Sequence, residues 1–457
     1  MKLIGLDIGT TSLCGISCDA ATGQIVQTIT EQNGTFLPAA EPWEKQQNAA
    51  ALVARLHRIA AALAADGDVA AVGLTGQMHG IVYLDADGRP VGPLTIWQDG
   101  RGDLPYRDGK TYAEWLSAAT GYPLATGYGA VTHFYATVNG LIPPGAVTFC
   151  TIHDLCAMAL TGRKTPLLDP SDAASIGLFS LARGQFDTAA IRAAGMDPAF
   201  FPDVSSGYAA LGRTAHGVPV AVAIGDNQAS VLGSVQDLAR SVLVNVGTGS
   251  QISCAVPRAA AQAAAGQLEL RPLTDDLLLL AGSSLCGGRA YAILERALRD
   301  IAAAVTGQPV ESAYPAMDRL MADYRPNGSP LTVDTAFCGT RSDPQRRGSI
   351  TGIGIDNFTM AALCDGVMNG IVSELHGLYA GITPLLPQRP AHLIGSGNGI
   401  RHNAPLAARF SAAFGLPLSV PAHREEAAFG AALFAAVAAG AVPDLAAAQS
   451  LIRYLDR

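Results

Sequence analysis

The sequence predicts an α/β protein of two duplicated domains, and its length, an internal repeat and the order of its elements support this fold class. The chain has 457 residues, too many for one hydrophobic core and suited to two domains of roughly 200 residues each. Residues 6–12 read Leu-Asp-Ile-Gly-Thr-Thr-Ser, and residues 244–250 repeat this in degenerate form as Val-Asn-Val-Gly-Thr-Gly-Ser. Each copy lies in a strand meander that is followed by alternating helices and strands, the order of a ribonuclease-H-like unit. We therefore predict two such units, residues 1–237 and 238–457.

The first unit is predicted to open with three antiparallel strands, a helix and a fourth strand. The predicted strands are 2–8, 13–19, 24–30 and 69–75. Leu52, Leu56, Ile59 and Leu63 recur at spacings of four, three and four, which places them on one face of a helix. Residues 97–215 exceed what the repeat needs, so we interpret them as an insertion that builds a substrate pocket.

The second unit repeats this order. We predict strands at 242–247, 251–256, 277–282, 391–395 and 416–421, and helices at 287–305, 359–380, 403–414 and 425–439. We place the domain boundary near residue 238.

Composition argues against several classes of partner. The net charge is -8 and no cluster of basic residues is present, so a nucleic-acid partner is not expected. The longest apolar run, 427–442, is mostly Ala and Gly and too short to span a membrane, which needs about 20 strongly apolar residues.

The first residues lack the pattern of a signal peptide, so a cytoplasmic protein is expected. The eight cysteines show no metal-binding spacing and are predicted to be reduced core residues.

The repeated phrase predicts two phosphate-binding loops. Gly9, Thr10, Thr11 and Ser12 follow a strand, and such a turn offers backbone amides and hydroxyls to phosphate oxygens. Asp7 is a candidate ligand for Mg²⁺, through water because that ion loses its waters reluctantly. A plain hairpin turn is the alternative for this loop alone, and the second loop at 245–250 makes phosphate binding the better interpretation.

Asp226 is the candidate general base. It follows the apolar run 218–224 and lies in sequence between the two phosphate loops. The alternative is a simple helix cap, since Asp and Asn favour that position. With both loops present, a carboxylate at a strand end is well suited to accept the proton of a sugar hydroxyl.

Two further motifs carry polar groups of the kind that hold sugars. Gln77, Met78 and His79 follow the strand 69–75, and Asp99 and Arg101 follow an aromatic residue. Each motif alone is also compatible with a structural role.

With these motifs in place, the whole chain resembles the FGGY carbohydrate kinases, in the superfamily of hexokinase, actin and the heat-shock ATPases. The resemblance implies two domains around a central cleft, the first binding sugar and the second nucleotide, with ATP and Mg²⁺ as cofactors. It also implies residue roles: Asp226 as the base; Gln77, Met78, His79 and Asn227 at the sugar; Gly9, Thr10, Thr11, Ser12, Gly247, Thr248 and Gly249 at the phosphates; and Gly395, Gly397 and Asn398 at the adenosine. A small-molecule sugar is the implied partner, and the resemblance allows a homodimer.

Several stretches resemble the family members that phosphorylate sedoheptulose. These are residues 97–101, 125–130, 151–154, 171–175 and 394–397. The phrase Gly-Gln-Met-His-Gly is shared with members that phosphorylate xylulose, and Asn227 is closer to the form found in those. Thr340 and Asn398 also depart from the residues common in the family.

The expected reaction is therefore phosphorylation of the terminal hydroxyl of a ketose, sedoheptulose first and xylulose second. Gln77, His79, Asp99, Arg101 and Tyr128 are the candidate partners of the sugar hydroxyls. An ATPase that drives conformational change, as actin and the heat-shock proteins do, is the alternative from another class. Such a protein would not need the sugar-binding motifs or the insertion.

Overall fold

The computed structural model of the protein describes residues 1–259, 268–326, 329–340, 343 and 345–455. The strands of these residues, in chain order, are β1 (Lys2–Ile8), β2 (Ser12–Asp19), β3 (Ile25–Gln32), β4 (Gln46–Gln47), β5 (Val69–Gly76), β6 (Val82–Leu84), β7 (Leu94–Thr95), β8 (Thr148–Cys150), β9 (Leu167–Leu168), β10 (Phe179–Ser180), β11 (Gln185–Phe186), β12 (Asp203–Val204), β13 (Ala210–Arg213), β14 (Pro219–Ala221), β15 (Ile224–Gly225), β16 (Ser241–Val246), β17 (Ser250–Pro257), β18 (Leu268–Pro272), β19 (Leu277–Ser284), β20 (Thr332–Asp334), β21 (Ser349–Thr351), β22 (His392–Ser396) and β23 (Leu418–Ser419).

The α-helices follow the same order. They are α1 (Ala49–Ala64), α2 (Tyr112–Thr120), α3 (Gly129–Val138), α4 (Ile152–Thr161), α5 (Pro170–Ile176), α6 (Thr188–Ala193), α7 (Asp226–Ser234), α8 (Gly288–Thr306), α9 (Tyr314–Ala322), α10 (Met360–Ile382), α11 (Asn398–Arg401), α12 (Ala404–Phe414), α13 (Glu426–Ala438) and α14 (Leu445–Gln449). Every strand and helix expected from the sequence is present with small shifts at its ends, although β23 is shorter than the predicted 416–421.

The chain divides into two compact units. Unit 1 comprises Met1–Gln236, Pro272–Asp275 and Glu425–Arg453, and unit 2 comprises Asp237–Arg271, Asp276–Arg424 and Tyr454–Arg457, of which we describe only the residues named above. Residues 97–215, the predicted insertion, lie wholly within unit 1 and contribute α2 to α6.

Five strands of each main sheet follow the same topology, which confirms the predicted duplication. In unit 1 the strand order is β13-β14-β5-β1-β2-β3, and β15 also pairs with β5. β1 is antiparallel to β2 and parallel to β5. In the second sheet, of order β18-β19-β17-β16-β22-β23, β16 is likewise antiparallel to β17 and parallel to β22. A meander followed by a parallel strand therefore occurs in both.

Helix α1 covers the first sheet with the face that the sequence predicts. Leu52, Leu56, Ile59 and Leu63 are all buried, and Asn48 caps the helix by accepting a hydrogen bond from the backbone N–H of Ala51. Burial of four large aliphatic side chains, each stabilising the fold by about 1.5–3 kcal/mol before entropy costs, holds α1 against the sheet.

Helix α13 belongs to unit 1, which differs from its place in the predicted second unit. It packs on β1 and β5, where two glycines pair in register and leave room for its backbone. A Cβ atom on Gly5 would lie 1.8 Å from the carbonyl oxygen of Ala428, and one on Gly73 would lie 1.9 Å from that of Ala431. Tertiary packing therefore decides to which unit this helix belongs.

The helices of the described residues include none that combines the length and apolar character needed to cross a bilayer. The apolar run 427–442 forms most of α13, and that helix is buried instead against the unit 1 sheet.

Candidate active site

The first predicted phosphate loop is a tight connection between β1 and β2. A Cβ on Gly9 would lie 2.8 Å from the carbonyl oxygen of Ser12, so the turn requires glycine. The Asn33 side chain donates to the carbonyl of Gly9 at 2.9 Å. Thr11 is exposed, and Thr10 and Ser12 are partly exposed. The turn therefore presents backbone N–H groups and the hydroxyls of Thr11 and Ser12 at the surface of unit 1.

A network of side-chain hydrogen bonds supports this loop. Trp97 Nε1 donates to Thr10 Oγ1 at 2.9 Å, and that hydroxyl donates to Gln77 Oε1 at 3.3 Å. Gln77 Nε2 donates to Gln47 Oε1 at 2.9 Å, and Gln47 Nε2 donates to the Thr10 carbonyl at 3.0 Å. Gln77, a predicted sugar ligand, is 3% exposed and holds the phosphate loop to the sugar motif. Gln47 was not predicted from the sequence, because it lies in a two-residue strand, paired with β7, that no local motif marks.

Asp226 is the first residue of α7, directly after the short strand β15. Its position there is set by α5, because the Gly225 N–H donates to Ser171 Oγ at 3.0 Å. Asp226 is partly exposed. A carboxylate in the first turn of a helix interacts favourably with the helix dipole.

Asp7 is influenced by two other carboxylates in this part of unit 1. Burial raises the pKa of Asp7 to about 7, and the negative charges of Asp226 and Glu425 add to the increase. Glu425 lies just before α13. Because that helix packs within unit 1, it adds to this region a carboxylate that was not predicted from the sequence. Such crowding of negative charge is suited to a divalent cation, whose oxygen ligands are commonly carboxylates.

A fully buried pair, His153 and Asp172, lies near Asp226. His153 Nε2 is 2.8 Å from Asp172 Oδ2, and both side chains are inaccessible to solvent. Burial lowers the pKa of His153 and raises that of Asp172, and the charge of Asp226 raises both. The pair joins α4 to α5, which carries Ser171, so it stabilises the element that positions Asp226. Both residues lie in stretches singled out by resemblance, but their pairing is a product of the fold.

Asp154, in the first turn of α4, is a buried carboxyl group whose titration makes the stability of the fold depend on pH. Its carboxylate accepts from Thr151 Oγ1 at 2.6 Å, and burial, with the charge of Asp172, raises its pKa from 3.8 to about 8. The folded state therefore holds a proton that the unfolded chain loses above about pH 4, so this group destabilises the fold as pH rises from about 4 to about 8. We expect Asp154→Asn to reduce the fall in melting temperature over that range.

The measurement is thermal unfolding at several pH values between about 5 and 8. The control is Asp444→Asn, which changes an exposed N-cap aspartate of α14 and should leave the pH profile unaltered. Parallel profiles for Asp154→Asn and the parent would show that the Asp154 carboxyl does not titrate in this way.

His79 has an unusual backbone conformation, and its imidazole ring is positioned by two contacts. Its φ is 71°, in the left-handed region, and its ring stacks on Tyr128 with centroids 4.5 Å apart. The His79 N–H donates to Ser175 Oγ at 3.1 Å, and Nδ1 is 2.7 Å from the Ser175 carbonyl oxygen. Strained backbone of this kind is concentrated at functional sites. The fold therefore brings together His79 and Tyr128, which are 49 residues apart in the sequence.

Met78 and Asn227 both adjoin the turn that carries Asp226. A Cβ on Gly225 would lie 2.5 Å from Met78 Cε, so the methionine packs directly against that turn. Asn227 Oδ1 is buried and has no hydrogen-bond partner among the described residues. A buried amide oxygen of this kind is available for a ligand or water.

Asp99 and Arg101 form an ion pair in which the carboxylate is buried and the arginine is partly exposed. Asp99 is 0% exposed and accepts from Arg101 Nε at 2.6 Å and from the Lys45 N–H at 2.9 Å. The guanidinium lies 5.7 Å from the ring centre of Trp43 and 5.4 Å from that of Tyr135. The sequence predicts that both side chains bind sugar hydroxyls. The observed geometry differs from that prediction, because the Asp99 carboxylate bonds Arg101 and orients it.

The second phosphate loop joins β16 to β17 in unit 2. The start of α8 holds this loop, since the Gly288 N–H donates to the Gly247 carbonyl at 2.9 Å and the Arg289 N–H to the Thr248 carbonyl at 3.0 Å. A Cβ on Gly249 would lie 2.8 Å from the Ser284 carbonyl oxygen. Close backbone packing therefore requires glycine at position 249.

The predicted adenosine loop is next to the second phosphate loop within unit 2. Asn245 Nδ2 donates to Ser396 Oγ at 2.7 Å. Gly397 has φ of 81°, and a Cβ there would lie 2.6 Å from the Val246 carbonyl oxygen. Asn398 is exposed and begins the short helix α11, whereas Gly395 is buried against Leu418.

Thr340 closes a turn in unit 2, where its Oγ1 accepts from the Asp343 N–H at 3.0 Å. Residues 341, 342 and 344 of the same loop lie outside the described residues.

Comparison with known families accounts for almost the whole chain. Residues 2–233 match the model of the N-terminal domain of the FGGY family of carbohydrate kinases, and residues 242–439 match that of its C-terminal domain. The two matches meet close to the division between the compact units, except that the second includes α13.

Individual relatives cover both domains. The chain is 27% identical to human sedoheptulokinase over 94% of its own length and 96% of that protein. It is also 27% identical to a xylulose kinase of Streptomyces coelicolor, over 95% of this chain and 87% of the relative. Among solved structures, a xylulose kinase from Rhodospirillum rubrum superposes with a TM-score of 0.82 at 22% identity, covering 100% of this chain and 93% of that one. That similarity shows the fold.

Proposed function

Because this chain belongs to the FGGY family of carbohydrate kinases, we propose that it transfers the terminal phosphoryl group of ATP to the terminal hydroxyl of a ketose. The preferred substrate is sedoheptulose, which gives sedoheptulose 7-phosphate, and xylulose is the second candidate. The observation that supports the proposal is the register of the unit 1 sheet, in which Ile8, just before the first phosphate loop, and Gly225, just before Asp226, both pair with Gly76 of β5.

Asp226 acts as the general base. Its carboxylate accepts the proton of the sugar hydroxyl as that oxygen bonds to phosphorus and the bond to ADP breaks. The Ser171 hydroxyl and the His153–Asp172 pair are positioning groups, since they hold the turn and helix around Asp226.

Sugar kinases of this family use ATP, with Mg²⁺ as the usual metal. The carboxylates of Asp7, Asp226 and Glu425 fit such an ion, because a dication would offset the repulsion that, in addition to burial, raises the pKa of Asp7. Asp7 is the residue we assign to the metal, through water. When bound, Mg²⁺ neutralises charge on the phosphate oxygens.

Each glycine-rich loop is a phosphate-binding turn of its own unit. In unit 1 the backbone amides of residues 9–12 and the hydroxyls of Thr11 and Ser12 bind phosphate oxygens, and in unit 2 residues 247–249 do so, as turns of this kind do for anions. Residues 395–398 contact the adenosine, with exposed Asn398 at the start of α11.

The sugar binds against the elements that surround Asp226 in unit 1. His79 and Tyr128 offer polar groups on a stacked platform, and Asn227 offers its amide. Gln77, Met78, Asp99 and Arg101 shape the same region, and burial of Gln77 and Asp99 assigns them to positioning the loop and the guanidinium.

Sedoheptulose is preferred to xylulose for two reasons. The human sedoheptulokinase is similar over nearly its entire length. A longer ketose also presents more hydroxyls, and a site built to bond them discriminates against analogues that leave its polar groups unpaired.

A panel of ketoses, aldoses and polyols tests this assignment by ADP release. We expect the highest kcat/KM for sedoheptulose, a lower value for xylulose and the lowest for glycerol. A value for xylulose equal to or above that for sedoheptulose would move the assignment to xylulose. Turnover of ATP that is indifferent to every sugar would instead indicate a conformational ATPase.

We expect His79→Asn to lower kcat/KM for the preferred sugar by about tenfold or more, since one hydrogen bond to substrate contributes about 1.5 kcal/mol. Asparagine tolerates the left-handed backbone of this position, so the fold should be retained. The KM for ATP should change little. The control is His216→Asn, an exposed turn histidine of the same unit. An unaltered sugar kcat/KM in His79→Asn would remove His79 from the sugar site.

A homodimer and a cytoplasmic location, both expectations from the sequence, are also part of the proposal. Gel filtration of the purified protein tests the first of them.

A further inference from the structure

Two cysteines that are distant in sequence lie side by side in unit 2. The Sγ atoms of Cys286 and Cys338 are 3.7 Å apart, across a separation of 52 residues. All eight cysteines are free thiols, and seven are buried as predicted. Cys338 is the exception, because the loop after β20 leaves it partly exposed. One thiol of the pair is therefore accessible, and the other is covered.

The charges around the pair distinguish the two thiols. Arg289 Nη1 lies 3.6 Å from Cys338 Sγ, and this contact, with the neighbouring Cys286 and Arg347, lowers the pKa of Cys338. Burial raises the pKa of Cys286 to about 12. A thiolate beside a cation in a partly exposed position is the usual environment of a reactive cysteine.

We propose that Cys338 and Cys286 are a modification site at which hydrogen peroxide forms a reversible disulfide. The Cys338 thiolate attacks one peroxide oxygen, so an S–O bond forms, the O–O bond breaks and hydroxide takes a proton to leave as water. Cys286 then attacks the sulfenic sulfur, the S–S bond forms, the S–O bond breaks and a second water leaves with the Cys286 proton. Two thiols lose two electrons in total, and one peroxide gains them. A dithiol reductant reverses the reaction by exchange.

Disulfide formation acts on the second phosphate loop. The sulfurs must approach from 3.7 Å to about 2.05 Å, so at least one of the two segments moves. Cys286 lies two residues before α8, and the N–H groups of Gly288 and Arg289 donate to the carbonyls of Gly247 and Thr248. Movement of Cys286 therefore shifts the support of that loop. This expectation rests on the proposed function: oxidation should raise the KM for ATP and leave the KM for sugar unchanged.

The first test maps the thiols after treatment of the full-length protein with stoichiometric hydrogen peroxide. We expect two of the eight thiols to be lost, with a reductant-sensitive cross-link between the peptides of Cys286 and Cys338. Cys338→Ser and Cys286→Ala should each abolish the cross-link. The control Cys254→Ala, which alters a buried cysteine of the same unit, should keep it. Recovery of all eight thiols, or a different cross-link, would overturn the site.

The second test measures how fast iodoacetamide alkylates Cys338 at neutral pH. Arg289→Gln should slow the reaction by roughly threefold or more, because less of the thiol is ionised. Arg319→Gln, an exposed arginine of α9, is the matched control. Equal rates in Arg289→Gln and the parent would contradict the role of Arg289.

The third test compares kinetics of the reduced and cross-linked protein. A KM for ATP that is the same in both forms would overturn the coupling to the phosphate loop. Because thiol mapping needs no substrate, loss of the proposed sugar kinase activity would leave the first two tests unaffected.

Discussion

Asp226→Asn is expected to lower kcat by about a hundredfold or more, the usual range for loss of a general base. Asparagine has nearly the same shape as aspartate and cannot accept the proton of the sugar hydroxyl. Asp226 is the first residue of α7, so the substitution also removes a favourable helix-dipole interaction of about 0.3–1 kcal/mol. That cost is small compared with the expected loss of activity.

Steady-state kinetics with the preferred ketose measures this effect, while calorimetric titration with ATP and thermal unfolding check that binding and fold persist. Asp203→Asn, which changes an exposed aspartate of the same unit, is the control and should keep full activity. If kcat of Asp226→Asn stayed within a few-fold of the parent, another group would have to be the base.

Gly73→Val is expected to produce the largest loss of stability, about 3 kcal/mol. The glycine lies on β5 under α13, where even a Cβ would approach the Ala431 carbonyl oxygen to 1.9 Å. Neither backbone can yield easily, since β5 is paired with β1 and α13 is buried along most of its length. The helix must move off the sheet, and with it Glu425, which interacts with Asp7.

Urea unfolding followed by circular dichroism gives the free energy change. Gly92→Ala is the control in unit 1, because a Cβ there would make only an ordinary contact of 3.5 Å with Pro143. Stability of Gly73→Val within about 0.5 kcal/mol of the parent would show that α13 does not pack on β5 as closely as described.

Helix α13 and Gln47 show where inference from sequence reaches its limit. The length and apolar character of α13 were predictable, because they arise from neighbouring residues. Its position on β1 and β5 depends on two glycines more than 350 residues earlier in the chain. Gln47 likewise bonds both Thr10 and Gln77, although no local pattern marks it.

Asp99 illustrates the same limit at the candidate site. Its sequence neighbourhood suggested a sugar-binding carboxylate, whereas its burial and its bonds to Arg101 and the Lys45 N–H make it a positioning group in our proposal. The chemical type of a side chain is visible in the sequence, but its accessibility is set by what packs around it.

The sequence by itself determined the duplicated α/β topology, the two glycine-rich loops and the strand end that carries Asp226, since hydrophobic periodicity and turn chemistry act between near neighbours. Tertiary structure alone decided that Glu425 approaches Asp7, that His153 pairs with Asp172, and that Cys286 lies beside Cys338. These pairs join residues 19 to more than 400 positions apart. Their contacts follow from sheet register and helix packing, which depend on the whole folded chain and leave no local signal.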